Sequence, residues 1–142
     1  MLGKIKAIEL IMKIYHWVYI VLIVSTSLLQ LVDKLFITEG GVATQLLPFL
    51  VATILTGATM GKMNQQALLY RWFWFVSFWL LIFGEISLLS FSVYLFWQQG
   101  VAASLHITIY LMVMTMAVPG LIALYQYVYL SKAVWQPSPK QE

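Results

Sequence analysis

The stretch WFWFVSFWLLIFGEISLLSFSVYLFW, residues 72–97, decides the fold class of this chain: it is a long apolar run whose only charge is Glu85. As a helix rising 1.5 Å per residue, such a run is long enough to cross a hydrocarbon layer roughly 30 Å thick. A strand is excluded for two reasons. The run lacks the in-out alternation of a barrel strand, and an open strand in lipid leaves backbone N–H and C=O groups unpaired.

Three further apolar runs flank it, from about Ile14 to Val32, from Val42 to Gly61 and from about Ser104 to Leu130. The four together predict an all-α integral membrane protein, an up-down bundle of four transmembrane helices forming one membrane domain over 1–142. Composition agrees: 62% of the 142 residues are hydrophobic and 9% charged, where a soluble domain carries about 25% charged residues. Beyond the spans lie a short basic N-terminus, three short connections and the tail WQPSPKQE, which leave no length for a folded soluble domain. Any activity is therefore expected inside the bilayer or at its surface. The opening MLGKIKAIELIMK has the lysines of a signal peptide, but the apolar run after it is long and lacks a small-residue cleavage site, so it reads as a retained anchor.

The basic residues orient the spans. Lys4, Lys6 and Lys13 precede the first span, Lys62 and Arg71 flank the second connection, and Lys132 and Lys140 follow the fourth. The opposite side holds only Lys34, offset by Asp33 and Glu39, and an uncharged Gln98-Gln99-Gly100 turn. Because basic residues stay on the cytoplasmic side, both termini are expected in the cytoplasm, with a bacterial inner membrane as the setting. Interfacial aromatics fit the same frame: Tyr15, Trp17, Tyr19, Trp72, Trp74, Tyr125, Tyr127 and Tyr129 at the inner surface, Tyr94 and Trp97 at the outer.

Several function classes are disfavoured. With no cysteine there are no disulfides, thiolate metal sites or thiol nucleophiles. The basic residues form no patch of the kind that binds nucleic acid. No second membrane carboxylate pairs with Glu85, and no Ser-His-Asp set or phosphate-binding glycine loop occurs, so an enzyme is not expected. His16 and His106 open spans that run in opposite directions, which sets them at opposite surfaces, too far apart to ligate one haem iron. No cofactor and no metal are expected.

Sliding the chain by 60 residues pairs Ser27, Leu28, Leu29, Leu35 and Phe36 with Ser87, Leu88, Leu89, Leu95 and Phe96. At an offset of 59, Gly41, Val42, Ala43, Leu46, Thr56, Ala58 and Gly61 fall on Gly100, Val101, Ala102, Leu105, Thr115, Ala117 and Gly120. A duplicated hairpin would produce this pattern, with two parallel repeats related by a pseudo-twofold axis along the membrane normal. Apolar composition alone also yields a share of such identities. The partner of Glu85 in this scheme is Ser25, so only one half carries the carboxylate.

Polar residues recur at helical spacing: His16, Ile20, Ile23, Ser27 and Gln30 on the first span; Gln45, Phe49, Thr53, Thr56 and Met60 on the second; Thr108, Met112, Thr115, Pro119 and Gln126 on the fourth. Glu85 shares a stripe with Phe78, Leu81, Leu88 and Ser92. In lipid such stripes are expected to face neighbouring helices, and Gly57 and Gly61, a GxxxG pair, to permit close packing of the second span. By count from the interfaces, Ser25, Thr53, Thr56 and Thr115 lie within about one turn of the depth of Glu85, and Pro119 frees the carbonyl of Thr115 nearby. Glu85, Thr53, Thr56, Thr115 and Ser25 are thus the candidate binding residues, a polar belt at the membrane centre.

Two readings of that belt follow. A charged carboxylate at mid-bilayer costs ~2.5 kcal/mol or more, and such residues mark proton or cation paths. This predicts a small transport or conduction protein, working as a homo-oligomer because four helices enclose little volume. In the other reading a neutral Glu85 donates one hydrogen bond and fixes helix register, in an accessory subunit or immunity-type partner of another membrane protein.

Overall fold

A computed structural model describes the backbone of residues 2–36 and 42–136 and the side chains of 3–32 and 46–136. Glu39, Gly41 and the tail with Lys140 lie outside the described residues, as do the side chains of Asp33, Lys34, Leu35, Phe36, Val42, Ala43 and Gln45.

The described chain is helical: α1 spans Leu2–Phe36, α2 Val42–Asn64, α3 Arg71–Gln99 and α4 Ser104–Tyr125. A 3-10 turn, Gly100–Ala103, joins α3 to α4, a π-helical turn, Gln126–Leu130, extends α4, and a short α5, Lys132–Trp135, follows. Three helical stretches, Gly3–Val32, Leu46–Asn64 and Arg71–Leu130, are each long and apolar enough to cross a membrane. The last holds two helices. Gly100 adopts φ 54°, a left-handed conformation that only glycine takes without strain, and its N–H caps α3 at the Phe96 carbonyl. The chain then doubles back, so that Phe91 meets Tyr110 (ring centroids 6.1 Å apart) and Phe78 meets Tyr125 (5.9 Å), the pairing of antiparallel helices.

The connection between α2 and α3, residues 65–70, turns on a different device. Gln66 N–H bonds the Gly61 carbonyl at 3.1 Å and Gln65 N–H the Lys62 carbonyl at 3.3 Å, with Gln65 at φ 51°, the Schellman ending of a helix. Leu69 is also left-handed, at φ 61°, a conformation unusual for a branched side chain.

The helices pack in the order α1, α2, α4, α3: α2 lies between α1 and α4, while α3 rests mainly on α4 and touches α2 at few points. The core cluster runs along this row, with Ile23 of α1, Ala52, Leu55 and Ala58 of α2, Trp74 of α3, Ala117 and Leu124 of α4, and Tyr127 and Val128 beyond it. α2 and α4 run parallel: Gly120 lies against Leu55, and Gly61 lies against Tyr127. That register does not support the duplicated hairpin. A pseudo-twofold axis along the normal would set equivalent residues level, Gly61 beside Gly120. Instead each glycine faces a residue six or seven positions from the expected one, a stagger of roughly 10 Å along the helix.

The small residues do permit close approach, but to aromatic rings. A Cβ on Gly57 would come within 2.9 Å of the Trp74 ring, and one on Gly61 within 2.7 Å of the Tyr127 ring. Trp74 and Tyr127 are consequently buried, at 3% and 0% exposure, and not part of an interfacial belt.

Candidate functional site

Glu85 lies on the inward face of α3. Trp74, Phe78, Leu81, Glu85, Leu88 and Ser92 recur every three or four residues and are buried or half-buried, whereas Trp79, Phe83, Ile86 and Leu89 are exposed. Midway between the Phe78–Tyr125 and Phe91–Tyr110 contacts, the register sets Glu85 across from the region of Ala117. Gly84 beside it has nothing within 4 Å of where a Cβ would stand, so the helix runs past an opening at this level. The neighbouring hydroxyls do not turn to the carboxyl. Ser87 donates to the Phe83 carbonyl at 2.8 Å and Ser90 to the Ile86 carbonyl at 2.9 Å. Among the described residues no hydrogen bond to Glu85 forms.

The other candidate residues divide. Thr56 is half-buried, and its Oγ1 is sealed from solvent without a hydrogen-bond partner. Thr53 and Thr115 are exposed on outer faces, each donating at 2.8 Å to the carbonyl four residues before it, Phe49 and Leu111. Ser25 is exposed as well. One copy of the chain therefore turns Glu85 and Thr56 inward and leaves Ser25, Thr53 and Thr115 outward. The stripe on α4 behaves likewise, with Thr108 and Met112 exposed and Thr108 bonded to its own helix at 2.8 Å. A hydroxyl satisfied by the preceding turn needs no neighbouring helix, so small polar residues at helical spacing do not by themselves mark a packed face. On α1 the stripe of His16, Ile20, Ile23 and Ser27 does face inward, but Gln30 does not.

Near Pro119 a bond comes from another helix. The Tyr19 hydroxyl of α1 donates to the Met116 carbonyl at 3.2 Å, one residue beyond the carbonyl that Pro119 leaves without its usual donor. Around it Tyr15, Val18, Leu22, Ile23 and Met116 line a crevice of about 250 Å³ between α1 and α4 whose walls are almost wholly apolar.

The densest polar network lies elsewhere, between connection 65–70 and the end of α4. Tyr127 donates its hydroxyl proton to the Gln66 carbonyl at 2.7 Å and accepts from Leu68 N–H at 2.8 Å. Trp74 packs edge-on against it, ring centroids 5.6 Å apart, and donates Nε1–H to the Leu68 carbonyl. Lys62 donates to the Gln126 side-chain oxygen, Arg71 Nε–H to the Val128 carbonyl at 3.1 Å, and Trp135 Nε1–H to the Tyr127 carbonyl at 2.8 Å. These bonds tie connection 65–70 to the end of α4. Sequence reasoning placed Lys62, Arg71, Trp74 and Tyr127 at one surface but did not join them, since no periodicity links positions some sixty apart; the GATMG glycines were the one usable signal, as flat seats for rings.

His16 turns its Nδ1 to the Met12 carbonyl within its own helix, and His106 is exposed. No group of three His, Cys, Asp or Glu side chains close enough to hold a metal occurs among the described residues. Compared with known protein families, curated proteins and solved structures, the chain finds no match.

Proposed function

We propose that this chain is a four-span membrane protein, with both termini on the cytoplasmic side of a bacterial inner membrane, that works as a unit of a larger assembly in which Glu85 serves proton- or cation-linked transport. The supporting observation is the setting of Glu85: it lies on the inward stripe of α3 yet has no hydrogen-bond partner among the described residues and an opening beside it at Gly84. α3 rests mainly on α4, so a helix from a second copy has room to close over the carboxyl. Hydrocarbon penalises a charged carboxylate by ~2.5 kcal/mol or more, and membrane proteins keep such groups chiefly where protons, ions or substrates pass. Among the described residues a single copy, with Ser25, Thr53 and Thr115 on outward faces, has no polar track through it; in this reading the oligomer supplies one.

The same outward spread favours a second reading, an accessory subunit or immunity-type partner of another membrane protein with no turnover of its own. Flux separates the two. In liposomes carrying an imposed potential, wild-type protein is expected to move protons or monovalent cations, and Glu85→Gln, which keeps shape but cannot titrate, to lose at least about tenfold of that rate at equal incorporation. Equal flux in both removes Glu85 as the transport site, and none in either removes the transport reading; in the latter case co-purification with a distinct membrane protein supports the accessory one.

A further inference from the structure

A cation at the inner surface stands outside both readings. Arg71, the first residue of α3, lines a pocket of about 320 Å³ with Trp72, Phe75, Val128 and Tyr129. Its Nε–H is bonded to the Val128 carbonyl at 3.1 Å, an acceptor at the end of α4 that is left free by the π-helical turn. That bond holds the guanidinium against the helix end. A guanidinium has five N–H donors, and the four on its two Nη nitrogens have no protein acceptor among the described residues.

Neither carboxylate among the described residues neutralises it there. Glu85 lies fourteen residues along the same helix, about 21 Å away along the axis, and Glu9 lies on α1, at the far end of the packing row from α3. The pocket wall is aromatic: Phe75 and Tyr129 meet edge-on with ring centroids 6.1 Å apart, and Tyr129 is steadied by Trp79 Nε1–H, which donates to its hydroxyl at 3.2 Å. The indole of Trp72 is 72% exposed beside it. A held guanidinium with a free fork of donors, rimmed by aromatic rings at the depth where a bilayer turns from acyl chain to headgroup, matches one chemistry: a phosphate oxyanion bound bidentately, with hydrocarbon beside the rings.

We propose that Arg71, Trp72, Phe75 and Tyr129 form a phosphate-binding site for the headgroup of an anionic phospholipid in the inner leaflet. The inference rests on the chain spanning the membrane with α3 entering from the cytoplasmic side. Occupied, the site ties α3 and the end of α4 to the membrane surface through one ligand.

The test uses full-length protein in nanodiscs of phosphatidylglycerol and phosphatidylcholine in equal parts, with the lipid that stays bound on release into detergent identified by native mass spectrometry. Wild type is expected to retain phosphatidylglycerol about tenfold over phosphatidylcholine, the scale of one charge-assisted bidentate contact. Arg71→Gln abolishes the preference, Arg71→Lys lowers it severalfold because an ammonium lacks both the fork and the Nε bond, and Trp72→Ala lowers it with Arg71 intact. Lys132→Gln, a nearby cation outside the pocket, leaves it unchanged. Equal retention in Arg71→Gln and wild type overturns the site, and so does an equal loss in Lys132→Gln, which would reduce the effect to general surface charge. Added inorganic phosphate separates the two sources of the ligand: failure to displace the lipid supports the headgroup, whereas full displacement at millimolar concentration overturns the lipid assignment and leaves a site for soluble phosphate. Carbonate extraction keeps the two claims apart. A chain released by carbonate fails as a membrane protein, while a chain retained but without lipid preference fails at the site alone.

Discussion

Tyr127 uses its hydroxyl twice, giving a proton to the Gln66 carbonyl and taking one from Leu68 N–H, while its ring fills the seat left by Gly61. A Cβ on Gly61 would stand 2.7 Å from the Tyr127 ring and displace it, so Gly61→Ala is expected to destabilise the protein by ~1–3 kcal/mol, the range for overpacking. Tyr127→Phe keeps the ring and deletes both hydrogen bonds, for an expected loss of ~1–2 kcal/mol. Gly84→Ala is the control, since nothing lies within 4 Å of the added methyl and alanine is the better helix former. Thermal unfolding in one detergent orders them: Gly84→Ala at or above wild type, the other two below. A Gly61→Ala protein as stable as wild type would show that the Tyr127 ring does not depend on that seat. Glu85 shows how far a single residue is legible. Its place on the stripe of Phe78, Leu81, Leu88 and Ser92 follows from helical period alone, and the structure has the same face turned inward. Thr53 and Thr115 read equally well as interior residues and are not, because a side chain able to bond its own backbone carries no information about its neighbours.

At the level of elements, two helix starts were legible because lipid permits few alternatives: an expected second span from Val42 and a fourth from Ser104 coincide with the starts of α2 and α4, whereas α1 begins at Leu2, well before the expected first span from Ile14. The end of α4 was not legible. A helix leaves its last carbonyls without partners, and here Ser131 N–H reaches the Gln126 carbonyl at 2.9 Å, the Trp135 indole the Tyr127 carbonyl, and Arg71, far along the sequence, the Val128 carbonyl. The Arg71 bond is tertiary information with no local pattern. The worth of these end bonds is testable at Trp135, whose ring also packs on Tyr127 with centroids 4.9 Å apart. Trp135→Phe keeps an aromatic ring but loses the donor, and is expected to lower stability by ~1 kcal/mol. Trp135→Ala, losing both, is expected to cost more and to speed hydrogen exchange at Leu68 N–H through a loosened Tyr127. Unchanged exchange in Trp135→Ala would separate Trp135 from the tie between connection 65–70 and α4.

For the whole molecule, the similarity between halves misled because apolar sequences share residues by composition, and the stagger of α2 against α4 is a property of packing that identities do not report. Charge speaks more plainly about orientation. With all but one of the eight basic residues on one side, reporter fusions after Lys62 and Glu142 are expected to report the cytoplasm, and fusions after Leu31 and Gln99 the opposite side; an external signal at Glu142 would overturn the four-span arrangement or its direction. Assembly is the remaining question at this scale, and the absence of cysteine makes it accessible. Gly84 stands at the opening beside Glu85 with free space around it, so Gly84→Cys adds a thiol without crowding the fold. If a second copy closes over the carboxyl along α3, mild oxidation in native membranes should trap a disulfide-linked dimer through this position. Leu29→Cys on the exposed face of α1 should stay monomeric under the same conditions. Because a disulfide needs Cα atoms within about 7 Å, a dimer at Gly84→Cys fixes close helix contact at the depth of the carboxyl, a geometry that loose collision between neighbours does not provide. A monomer at Gly84→Cys, with a partner of different mass captured there by a bifunctional thiol reagent, would instead favour the accessory role and transfer the completion of the Glu85 site to another protein.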